Sequence, residues 1–245
     1  MDRRNRAKLA IAAAAVAAIV VVGCSTPSAE DGSGAGGPTV SPSPSLILRT
    51  SPSPTTAVPF PFAGELEIGR HTATIHGVAF SFAVPTSGWF STPARTGGFI
   101  QRGPDNATTP AWMLFWSLVD VYGDPCGHTL LSPPMGPTAA DLADSLLTMS
   151  GTEATGPTDV TVGGLPAKHV VLTVREDIGC DAEDAYLWAG PGESVRYASQ
   201  LPTIIRLWIV DVDGERIVIE SELLAGATPE LDQEIDQIVD SIRFE

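Results

Sequence analysis

Residues 204–223 read Ile204-Ile205-Arg206-Leu207-Trp208-Ile209-Val210-Asp211-Val212-Asp213-Gly214-Glu215-Arg216-Ile217-Val218-Ile219-Glu220-Ser221-Glu222-Leu223. Two apolar-rich runs, 204–212 and 215–223, flank Asp213-Gly214. Asp-Gly is a dipeptide that two-residue hairpin turns select, because both positions tolerate positive φ. The stretch therefore predicts an antiparallel hairpin. Ile205, Leu207 and Ile209 are expected to share a face with Ile217, Ile219 and Leu223.

Outward from this hairpin, further strands are expected at 71–75 and 78–84, joined at His76-Gly77, with a turn at Gly88-Trp89. The run 112–121 is apolar at even positions (Trp112, Leu114, Trp116, Leu118) and at odd ones (Met113, Phe115, Val119). That pattern predicts one central strand covered on both faces. Strands at 159–162 and 169–174 connect through Gly163-Gly164. Over 138–149, Thr138 serves as a cap, Asp141 completes a capping-box spacing, and Leu142, Leu146 and Met149 recur along one helical face. The last helix starts with Thr228 as cap and Pro229 at its first position, and buries Leu231, Ile235, Ile238, Val239 and Ile242. Successive hairpins with two separated amphipathic helices predict an α+β fold: an antiparallel β-sheet with helices packed against it, filling one globular domain over 63–245.

The N-terminus reads differently. Arg3, Arg4, Arg6 and Lys8 precede an apolar run over 9–22, too short to span a bilayer, which needs about 20 residues. It fits the h-region of an export signal over 1–23. Val21-Val22-Gly23-Cys24 resembles the bacterial lipobox, which implies a diacylglyceryl group on Cys24 and cleavage after Gly23. Two acyl chains make a stable anchor where one is marginal. The route, Sec or twin-arginine, is left open by Arg3-Arg4. Residues 24–62 are rich in Ser, Pro, Thr and Gly and predict a flexible linker, with a reach between roughly 35 Å as a coil and roughly 110 Å extended.

The chain of 245 residues carries 14 Lys and Arg against 29 Asp and Glu, a net charge of −15. Cleavage after Gly23 would remove four cations and one acid, leaving 10 against 28 and a charge of −18. Such a balance argues against nucleic acid, whose phosphates need cations. With Cys24 lipidated, Cys126 and Cys180 remain, and an even pair in an exported domain predicts a disulfide. No Cys-x-x-Cys is present, and acidic neighbours disfavour a reactive thiolate at Cys180.

Several segments resemble small actinobacterial surface lipoproteins with the PsbP-like fold, as in mycobacterial LpqN-type proteins. They are Val84-Pro85 with Gly88-Trp89, Asp124-Pro125-Cys126, Gly136-Pro137 leading to Asp141-Leu142, the 208–214 run, and Ile238-Val239-Asp240-Ser241-Ile242. The resemblance covers most of 79–245 and concerns fold-shaping residues. It implies a PsbP-like domain and supplies no catalytic set.

Candidate chemistry is sparse. Glu176, Asp177, Asp181, Glu183 and Asp184 surround Cys180, and such hard oxygen ligands suit calcium, although the spacing is not that of an EF-hand. The first reading of these acids is a solvated acidic loop, with calcium as the alternative. The four histidines lack zinc-ligand spacing. Gly192-Glu193-Ser194-Val195-Arg196 lacks the last glycine of a nucleophile elbow. Trp188, followed by the loop-like Ala189-Gly190-Pro191-Gly192, is the best candidate among the tryptophans for an exposed, ligand-stacking ring. No cofactor is indicated. These features fit a membrane-anchored extracytoplasmic lipoprotein acting as a non-catalytic binding domain for a protein or envelope partner. The alternatives are a carrier of lipid or another small molecule, and an envelope hydrolase.

Overall fold

The structure, a computed structural model, describes residues 63–94, 97–104 and 109–245. The leader, the linker and Cys24 lie outside the described residues. In chain order the strands begin with β1 (Gly64–Glu65), β2 (Gly69–Ile75), β3 (Val78–Val84), β4 (Trp89–Ala94), β5 (Gly97–Arg102) and β6 (Ala111–Trp116). Next come β7 (Asp120–Asp124), β8 (Thr129–Leu130), helix α1 (Ala139–Leu146), β9 (Thr152–Val162) and β10 (Leu165–Val174). The chain ends with β11 (Tyr186–Ala189), β12 (Val195–Tyr197), β13 (Thr203–Val212), β14 (Glu215–Leu223), helix α2 (Pro229–Ser241) and β15 (Arg243–Phe244).

Eight strands form a central antiparallel sheet in the order β1-β4-β5-β6-β14-β13-β10-β9. A three-stranded sheet, β15-β3-β2, and a four-stranded sheet, β12-β11-β7-β8, accompany it. The α+β expectation holds. The β13–β14 hairpin joins the β1-β4-β5-β6 half of the sheet to the β10-β9 half. Asp213 and Gly214 both take positive φ, 51° and 90°, which gives the turn the twist of the strands it connects. His76-Gly77 and Gly163-Gly164 turn the same way.

Each face of the central sheet has its own core. On one, β3 and α2 bring Phe80, Phe82, Ile235 and Ile238 to Met113, Phe115, Ile217 and Ile219. On the other, α1 and the four-stranded sheet bring Leu142, Leu146, Leu187 and Trp188 to Val170, Leu172, Ile205, Leu207 and Val218. Thr138 caps α1 in the predicted capping box with Asp141. Asp211 Oδ1 and Oδ2 accept from the Ala139 amide at 3.1 and 3.0 Å, so the first turn of α1 is pinned to the end of β13. Thr228 and Pro229 begin α2 as expected.

Two expectations need correction. The run 112–121 is two strands: it leaves the central sheet after Trp116 and re-enters the four-stranded sheet at Asp120. The apolar reading of both faces holds for β6, which lies inside the sheet with cores on either side. The faces of the hairpin also differ from the expected ones. A two-residue turn sets Ile209 opposite Val218, Leu207 opposite Glu220 and Ile205 opposite Glu222, while Val210 and Trp208 oppose Ile217 and Ile219. Opposed residues share a face, so Ile217 and Ile219 belong to the α2 core and Ile205, Leu207 and Ile209 to the other.

Candidate functional site

That register places two carboxylates inside the protein. Glu220 and Glu222 are both 0% exposed, on the β14 face covered by the four-stranded sheet. Arg196, 9% exposed on β12, reaches across to both. Its Nε donates to Glu220 Oε1 at 2.8 Å and its Nη2 to Glu222 Oε2 at 2.7 Å. Thr203 Oγ1 donates to Glu222 Oε1. The guanidinium stacks over the Trp112 ring, 4.6 Å from its centroid.

Two carboxylates facing one guanidinium leave an excess negative charge, and a low-dielectric interior penalises it. Burial pushes the Glu220 carboxyl up to about 7, against the pull of Arg196. Burial also works against the Arg196 charge, but the two glutamates outweigh it and hold the guanidinium protonated. Trp188 lies close enough to favour the charged Glu220. Its Nε1 nonetheless makes no well-formed hydrogen bond, and Glu220 Oε2 has none either. A carboxyl near neutrality is suited to proton transfer. Here it is enclosed between two sheets, and the arrangement works as a fastener: β12 and β11 are tied to the centre of the main sheet.

The predicted disulfide is present between Cys126 and Cys180, with Cα atoms 5.7 Å apart. It links the β7–β8 connection to the segment before β11. Trp188, the candidate for an exposed aromatic, is 0% exposed. It packs 6.4 Å from Trp116 in the core beneath the four-stranded sheet. The reason is strand alternation: Trp188 pairs with Val121 and Arg196, both facing inward. Its expected role as an exposed ligand-binding ring is therefore overturned.

The five acids of the calcium expectation do not converge. Asp177 accepts two hydrogen bonds from Arg175, at 2.7 and 2.5 Å, and these hold its carboxyl below the usual range. Glu176 and Asp177 line an open groove of about 680 Å³ with Glu153, Thr173, Arg175 and Pro202. Asp181, Glu183 and Asp184 follow Cys180 around a single 3-10 turn. Among the described residues no three His, Cys, Asp or Glu side chains gather as a metal would require. Among them, too, no helix is long and apolar enough to cross a membrane.

Sequence reasoning missed the Arg196–Glu220–Glu222 cluster, although a signal was there. Glu220 and Glu222 alternate in an apolar strand, on the parity of Val218, and the Asp213-Gly214 turn puts them opposite Leu207 and Ile205. Two acids on a buried face require a cation. Arg196 is the only Lys or Arg between Arg175 and Arg206.

No protein-family model and no curated protein matches the chain. Among solved structures, the chain is similar to LpqN, which is involved in cell envelope biogenesis of Mycobacterium tuberculosis. The identity is 14% and the TM-score 0.39, covering 73% of this chain and 92% of that one. A likeness of this size carries no argument about activity.

Proposed function

We propose that the chain is a lipid-anchored, extracytoplasmic lipoprotein whose PsbP-like domain is a non-catalytic binding module of the cell envelope. One observation carries the non-catalytic part. The described residue set nearest to acid–base chemistry, Arg196 with Glu220 and Glu222, is enclosed and spent on joining two sheets. The Cys126–Cys180 bond supports an oxidising compartment. The basic, apolar and lipobox-like residues up to Cys24 support the anchor.

Two experiments test this reading. Cys24→Ala should move the chain from the membrane fraction to the medium and abolish palmitate labelling. A chain that stays membrane-bound would overturn the anchor. Native mass spectrometry of the purified Cys24→Ala chain, which lacks the anchor, should give the protein mass alone, with discrete partners cross-linked to the wild-type chain on cells. A retained small-molecule adduct would replace the binding module with a carrier. Turnover of an envelope ester or glycan that is lost in Glu220→Gln would replace it with a hydrolase.

A further inference from the structure

The four-stranded sheet turns one face onto the central sheet, through Val121, Trp188 and Arg196, which pair across its strands. Tyr122 and Tyr197 alternate with Val121 and Arg196 and point the other way, and a register shift between Tyr186 and Trp188 sets Tyr186 on the same outer side. Tyr197 stands opposite Tyr186, and Tyr122 opposite Leu130. Tyr122 and Tyr186 meet edge to face with centroids 5.5 Å apart, and His128 lies flat on Tyr186 at 3.8 Å. The three tyrosines of the whole chain thus line one strip. Tyr197 is 50% exposed and Leu130 42%. The strip is braced: the disulfide ties its two halves together, and His128 Nε2 donates to the Asp184 carbonyl at 2.9 Å. A pre-organised aromatic surface of this kind is what interface cores are made of, since tyrosine covers area at little entropic cost.

Charge decides what fits it. The segments that build this layer, 117–131 and 178–202, contain Asp120, Asp124, Asp181, Glu183, Asp184 and Glu193. Their one Lys or Arg is Arg196, which faces inward and is taken up by Glu220 and Glu222. The layer therefore shows solvent its tyrosines and carboxylates without a lysine or arginine. A second copy of this acidic chain would be repelled there. Residues 24–62 offer Arg49 alone against Glu30 and Asp31. Guanidinium and ammonium groups, by contrast, gain from both the ring faces and the carboxylates.

We propose that the outer face of this sheet, the strip Tyr197, Tyr186, Tyr122 and Leu130 with His128, docks an Arg- or Lys-bearing segment of a partner protein. The inference rests on the reading of the chain as a binding module and gives that module its surface and the chemistry of its partner.

The test uses the full chain and a fluorescent octa-arginine peptide, with binding read by anisotropy at low and physiological salt. Replacing both Tyr186→Leu and Tyr197→Leu keeps apolar area but removes the rings, and should weaken binding about tenfold, at roughly two- to fivefold per ring. Asp181→Asn with Glu183→Gln should weaken it several-fold. Asp213→Asn with Glu215→Gln removes the same charge from the β13–β14 turn and should change it less than twofold. Should the double tyrosine variant not fold, Tyr197→Leu alone carries the test, with a two- to fivefold loss.

Absence of binding, tyrosine variants that bind like wild type, or equal losses from the two charge pairs would overturn the proposal. So would a dimer lost with Tyr197→Leu, which assigns the face to a second copy, or tyrosine-dependent binding of a neutral cell-wall oligosaccharide without the peptide. Each of these leaves the binding-module reading standing on other terms. That reading fails only on the adduct or the turnover described above.

Discussion

On one face of the central sheet, Phe80, Phe82, Ile235 and Ile238 pack on Met113, Phe115, Ile217 and Ile219, and the charges remain at the margin. There Arg206 pairs with Asp232 and Asp236 of α2, and Arg102 with Glu234, all at partly exposed positions. On the other face the aliphatic core under α1 runs directly into Arg196, Glu220 and Glu222, which are buried beside it. The first face is held by area, a sum of many small contacts that gives way by degrees. The second depends at one end on charge balance, so a single atom group decides whether it closes.

The sharpest way to break this contrast is Arg196→Met. It leaves two buried carboxylates unpaired and should cost about 3–5 kcal/mol in urea denaturation. Adding Glu220→Leu and Glu222→Leu to it should restore most of the loss, because a well-packed apolar trio needs no desolvation. If the single and triple variants are equally unstable, the cluster is not a coupled unit. Removing the disulfide comes next. Cys126 and Cys180 are 54 residues apart, and Cys126→Ala with Cys180→Ala should cost roughly 3–4 kcal/mol by the same measurement.

On the opposite face, Ile235→Ala empties a fully buried position of α2 and should cost about 3 kcal/mol, with cooperative unfolding retained. Glu220 then separates the faces by pH. Its carboxyl rises from an ordinary 4.5 to about 7 in the folded protein, mainly through burial. The folded state therefore holds a proton that the unfolded chain has already released. Stability from this group is complete below pH 4.5 and is lost as pH rises through about 7, a change of about 3 kcal/mol. Glu220→Gln should flatten that stretch of the profile, whereas an unchanged slope would locate the proton elsewhere. Smallest of all, Lys168→Ala removes an exposed pair with Asp159 and should change stability by less than about 0.5 kcal/mol.

These differences trace what can be read from sequence. The turns were legible because Asp213-Gly214, His76-Gly77 and Gly163-Gly164 each carry their own conformational reason. The helix starts were legible for the same reason at Thr138 and Thr228. Long-range pairing was not. Nothing local to Trp116 says that the chain changes sheets there, and nothing local to Trp188 says that β11 presents it to the core. Local alternation gives two faces but does not say which one is buried. The acidic residues near Cys180 were conspicuous in sequence, whereas the charges that matter most to packing, Arg196, Glu220 and Glu222, lie in strands more than 20 residues apart.

The position of the β13–β14 hairpin has a consequence for how the protein is made. Its two strands occupy the middle of the eight-stranded sheet, yet they are among the last to be synthesised. A chain emerging N-terminus first holds β4-β5-β6 and β9-β10 as separate fragments, each with an open edge at the gap the hairpin will fill. Neither hydrophobic layer can close until about residue 223 has emerged. Such late closure leaves the two fragments' open edges and apolar faces uncovered through most of elongation, the state in which a chain is captured by chaperones or pairs with other chains.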